Sequence, residues 1–100
     1  MRCAMIDIEY NRNEHRVTAK GHAKSAPRGE DLICAAVTIL MRTIMENSLE
    51  NCPCGFLGKE GKGYVMIECN EDPTRMMDAV CVGFRLLARE YPEYVEYRVI

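Results

Sequence analysis

Four stretches of the chain read as strands and two as helices. Cys3 to Tyr10 alternates, with Ala4, Ile6, Ile8 and Tyr10 on one face and Cys3, Met5, Asp7 and Glu9 on the other, which marks a half-buried strand. Asn11-Arg12-Asn13 is turn chemistry, and His15 to Gly21 follows as a second strand with Val17, Ala19 and Gly21 on one side, completing a hairpin. From Leu32 to Leu49, Ile33, Val37, Leu40, Met41, Ile44 and Met45 recur at helical spacing, and the first turns are apolar nearly all round. Tyr64 to Cys69 alternates again. Asp72 suits a helix N-cap and Pro73 a first helical position, ahead of an apolar stripe of Met77, Val80, Phe84, Leu87 and Tyr91. Pro92 ends that helix, and Tyr94 to Ile100 supplies a last strand. The order ββαβαβ predicts a two-layer α+β domain, residues 1–100, with a mixed four-stranded sheet and two helices. Asn51 to Gly63, rich in glycine, reads as a surface connection carrying at most a short extended piece near Phe56.

Composition narrows the function classes. A 100-residue chain that is 48% hydrophobic can build one modest core without a metal or disulfide. A net charge of -2 lacks the basic excess of a nucleic-acid binder. Charges interrupt every apolar run, so no membrane span is expected. Of the six cysteines, Cys3, Cys34, Cys69 and Cys81 fall within apolar patterns where a reduced cysteine packs as a small hydrophobe. With no secretory pattern at the N-terminus, a reducing, cytoplasmic setting is expected. Cys52-Pro53-Cys54 has the wrong spacing for half of a structural zinc site and no second pair follows it, so no metal or other cofactor is expected.

The chemistry concentrates between the second strand and the first helix. His22 ends one and Cys34 begins the other, with a loop bounded by Gly21 and Gly29 between them. A thiol at a helix start meets backbone N–H groups that have no helical partners; these favour a thiolate and can hold an oxyanion. A histidine nearby supplies a base that takes the thiol proton and returns it to a leaving amine. Asp31 reads either as a carboxylate at the helix start or as the group that orients His22. Gly21 and Gly29 read as hinges of a substrate loop.

The run Gly21-His22-Ala23, then Gly29, Asp31 and Cys34-Ala35-Ala36-Val37, resembles the signature of the ribosomal-processing cysteine protease (Prp) family, with matching spacing throughout. Thr38 stands where many members carry serine, and the basic loop Lys24 to Arg28 falls in a segment that varies across the family. The resemblance implies a dyad of His22 and Cys34. It also implies removal of an N-terminal extension from a large-subunit ribosomal protein, and assembly as a homodimer. The competing readings are a non-catalytic ribosome-associated binding module and a small metal or redox module using Cys52 and Cys54.

Overall fold

A computed structural model describes residues 6–21, 28–51, 55–61, 63–72 and 75–100, with the backbone alone for 28–31 and 56. The elements are β1 (Ile6–Asn11), β2 (Arg16–Lys20), α1 (Arg28–Asn51), β3 (Phe56–Gly61), β4 (Tyr64–Cys69), α2 (Met76–Glu90) and β5 (Val95–Val99). They form a mixed sheet of five strands in the order β3-β4-β2-β1-β5, in which only the β1–β5 pair is parallel. The α+β class and the two helices agree with the sequence reading; the fifth strand does not. The piece near Phe56 is a full strand of six residues, paired with β4 from Phe56↔Cys69 to Gly61↔Tyr64. Its sequence, FLGKEG, has too few apolar residues for alternation to reveal it, because an exposed edge strand has little to bury.

Period-two patterning puts Ile6, Ile8, Tyr10, Val17, Ala19, Ile67, Cys69 and Val95 in the core, where both helices cover one face of the sheet. α1 contributes Ile33, Val37, Met41 and Ile44, spaced to lie along one side of the helix. α2 contributes Met77, Cys81 and Phe84, and the Phe84 ring stacks on Tyr97 of β5 at 6.3 Å. The helices approach closely where Gly83 leaves room for the Leu40 methyl groups, which stand 2.9 Å from where a Cβ would be. On the opposite face, Arg98 ties together Asp7, Glu9 and Glu96.

Three expectations change. α1 begins at Arg28, four residues before the position expected from its apolar repeat. Residues Leu32–Asn51 are, by length and composition, apolar enough to cross a membrane, with a mean hydropathy of 1.4, so the interrupting charges are fewer than expected. Here that segment is the core helix, its buried side laid on the sheet. Asp72 does cap α2, its carboxylate accepting from the Met76 and Met77 amides at 3.0 and 2.9 Å, but the helix proper starts only at Met76, after Arg75 in the left-handed region.

Asp78 of α2 joins the helix to β1. The buried Tyr10 hydroxyl donates to it at 2.6 Å, and Arg12 and Arg75 flank it at 3.3 and 3.5 Å. That hydroxyl above all, then Arg12, holds the Asp78 carboxyl below its ordinary value, against the opposing effect of burial. A carboxyl lowered on folding stabilises the fold above its unfolded value of about 3.9 and ceases to do so as pH falls through the lower folded value. Tyr10→Phe should therefore cost about 1 kcal/mol near neutral pH. The wild-type and variant stabilities, measured by urea unfolding, should converge as the pH is taken below about 4; a constant gap down to strong acid would mean that the hydroxyl acts independently of the carboxylate.

Candidate active site

α1 and the β3–β4 hairpin leave a cleft of about 300 Å³ between them. Its helical wall is Cys34, Val37, Thr38, Met41, Arg42 and Met45. Val37 and Met41 belong also to the buried stripe of α1, and Cys34, Thr38, Arg42 and Met45 run along its flank. The floor is Val65 and Ile67 of β4, and Glu60, Gly61 and Gly63 form the hairpin side. The β3 residue opposite Ile67 is Gly58, which places no side chain beside it.

Cys34 is half-buried and forms no disulfide among the described residues. It lies in the second turn of α1, since the helix starts six residues earlier. The unpartnered N–H groups at the helix start belong to the first turn, residues 28–31. The expected support of the Cys34 thiolate by orphan amides thus loses its basis, and the macrodipole effect is confined largely to that first turn. The early helix start went unread because Arg28, Gly29, Glu30 and Asp31 carry no apolar repeat. Gly29 and Asp31 consequently sit in helix backbone, which replaces the hinge reading of Gly29.

Gly21 lines the same cleft as Cys34. Its φ of 105° is open to glycine and strained for other residues, and its amide donates to the Gly63 carbonyl at 2.9 Å. Gly63 itself has φ 70°. The end of β2 is thereby tied to the hairpin tip at the cleft mouth. His22 follows Gly21 directly in the chain and lies outside the described residues, as do Cys52-Pro53-Cys54 and the loop 23–27. Thr38 lines the cleft, and its hydroxyl donates to the Cys34 carbonyl at 2.8 Å. Thr43 makes the same bond to Ile39 at 2.7 Å, so the Thr38 bond is ordinary helix back-bonding and leaves the thiol untouched.

The sequence points to Gly21, Cys34 and Thr38 but gives no reactive side chain on the opposite wall, formed by Glu60, Gly61, Gly63 and Tyr64. The available signal was Gly61-Lys62-Gly63 leading into an alternating strand, which marks a hairpin turn.

A protein-family model described as cysteine protease Prp matches residues 5–96. The chain belongs to the Prp family of cysteine proteases. No curated protein matches it. Among solved structures it is similar to SMU.848 from Streptococcus mutans, at 24% identity and a TM-score of 0.70, covering 98% of this chain and 97% of that one. It is also similar to the essential ribosomal processing protease Prp from S. aureus in complex with a covalently linked product peptide, at 19% identity and a TM-score of 0.66, covering 97% of this chain and 99% of that one. The same S. aureus protease in complex with a substrate peptide gives 18% identity and a TM-score of 0.68, with the same coverage. At these identities the solved structures establish the shared fold. The protein is a cysteine protease on the strength of the family match, which sets aside the non-catalytic module.

The thiols differ in their surroundings. Cys81 is buried beneath α2, and burial pushes its thiol up to about 12, while Cys69 is buried in β4. Cys34 alone of these three opens onto a cleft. Mass-mapped alkylation by iodoacetamide at neutral pH should therefore modify Cys34 at least tenfold faster than Cys69 or Cys81. Equal rates would mean that the cleft does not admit reagent to the thiol.

Proposed function

We propose that this Prp-family protease removes the N-terminal extension of a large-subunit ribosomal protein, with Cys34 as nucleophile and His22 as general base and acid. The observation that carries the reading is the cleft itself: a half-buried thiol and the residue preceding the histidine line one cavity in a chain of this family. The structural relatives from S. aureus are ribosomal processing proteases with peptides bound, which supports a peptide from a ribosomal protein as substrate.

In this mechanism His22 takes the Cys34 proton and the sulfur attacks the scissile carbonyl. The tetrahedral intermediate collapses as His22 returns the proton to the leaving amine. The resulting thioester is hydrolysed by water, which His22 deprotonates, and Cys34 is released with its proton restored. Asp31 retains its two readings, with the helix-start role favoured by its place in the first turn of α1.

The proposal includes a cytoplasmic setting and a homodimer. An exposed apolar strip on α1, with Leu32 at 69% and Ile39 at 62% exposure, supports a partner surface.

The test is cleavage of a peptide spanning the extended N-terminus of the host ribosomal protein. Wild type should cut it once, and Cys34→Ala and His22→Ala should each lose at least a thousandfold in kcat/KM. Either variant cutting at the wild-type rate would rule out the dyad. The wild-type preparation should sediment at twice the chain mass, and a monomer at assay concentration would remove the homodimer from the proposal.

A further inference from the structure

The free edge of β3 lies beside the cleft, and its backbone polarity follows from the register. The Asn70 amide donates to the Gly55 carbonyl at 3.0 Å, one step outside the Phe56↔Cys69 pair. In an antiparallel ladder this makes Phe56↔Cys69 a non-hydrogen-bonded pair, and the alternation then leaves Gly58 and Glu60 without ladder bonds to β4. The Cys69 amide donating to the His15 carbonyl at 3.0 Å, on the β2 side of β4, agrees with this phase. The N–H and C=O groups of Gly58 and Glu60 therefore point away from the sheet, where no strand follows β3 among the described residues.

Three further features suit this edge to an extended peptide. The side chains of the same two positions belong to the helix-facing side, and Gly58 has none, so nothing at that position separates the edge from the Ile67 floor. Gly61 lines the cleft and carries no side chain, so the hairpin tip presents backbone alone between the edge and the Cys34 side. The cleft carries just two charged residues among its described lining, Arg42 and Glu60, of opposite sign, so charge alone gives little purchase on a peptide. Main-chain pairing does not depend on substrate charge, and alternate side chains of an added strand would fall into the cleft.

We propose that the substrate is held as a sixth strand on the free edge of β3. Residues flanking the scissile bond pair with the backbone of Gly58 and Glu60, and the chain passes over Gly61 to reach Cys34. This rests on the protease reading above, and it adds the mode of substrate recognition and the residues responsible.

The test compares Gly58→Pro with Gly58→Ala on the ribosomal-protein peptide. Proline removes an N–H that faces away from β4, so the ladder is kept; alanine introduces a Cβ but keeps the N–H. Gly58 also lacks the positive φ that would exclude proline, since the positive-φ glycines are Gly21 and Gly63. Gly58→Pro should show kcat/KM roughly five- to tenfold below Gly58→Ala, mainly through KM, with unchanged iodoacetamide reactivity at Cys34. In a second measurement, Cys34→Ala with bound peptide should show slowed amide hydrogen exchange at Gly58 and Glu60. Equal kcat/KM for the two Gly58 variants, or bound peptide with unchanged exchange at those amides, overturns the strand pairing. Wild-type cleavage in the same assay tests the protease reading separately.

Discussion

The packing of α1 on the sheet is the constraint on which the site depends. Ile33, Val37, Met41 and Ile44 fix the helix in rotation and in depth. Cys34 follows Ile33 by one residue, about 100° around the helix, so the same packing turns it partly out of the core and toward the hairpin side. A thiol one position earlier would be sealed in. Large-to-small changes along that stripe should disturb the cleft as well as stability, because Val37 and Met41 serve both the core and the cleft wall.

The cleft lies between α1 and the β3–β4 hairpin, and glycines recur on its hairpin side. Gly58 opposes Ile67, and Gly21 is bonded to Gly63 in backbone that favours glycine at both positions. That single bond joins the end of β2, from which the chain continues to His22, to the hairpin that forms the far wall. The edge of β3 then offers backbone groups that the fold itself does not use.

Burial patterns made most of the fold legible in the sequence. Ile6, Ile8 and Tyr10, and Val17 and Ala19, read as buried faces of strands and are so. Edges and termini were harder. β3 carries little apolar alternation because its exposed positions bury little, and the first turn of α1 is polar because it lies ahead of the packing stripe. The bond from Tyr10 to Asp78 has no signature in the sequence, since no local pattern announces a partner 68 residues away. In the site, Cys34 and Gly21 were visible through their motif, whereas the hairpin wall was not, because its contribution is shape and backbone rather than a reactive side chain.

The central claim is that the Cys34 sulfur is the atom that attacks the substrate carbonyl. The most direct measurement uses the ribosomal-protein peptide truncated at its cleavage site and ended in an electrophilic ketone, followed by digestion and mass mapping of the adduct. A single adduct on Cys34, formed in competition with uncleaved substrate, is the expected result. An adduct confined to Cys52 or Cys54, with Cys34 unmodified and activity abolished, would contradict it.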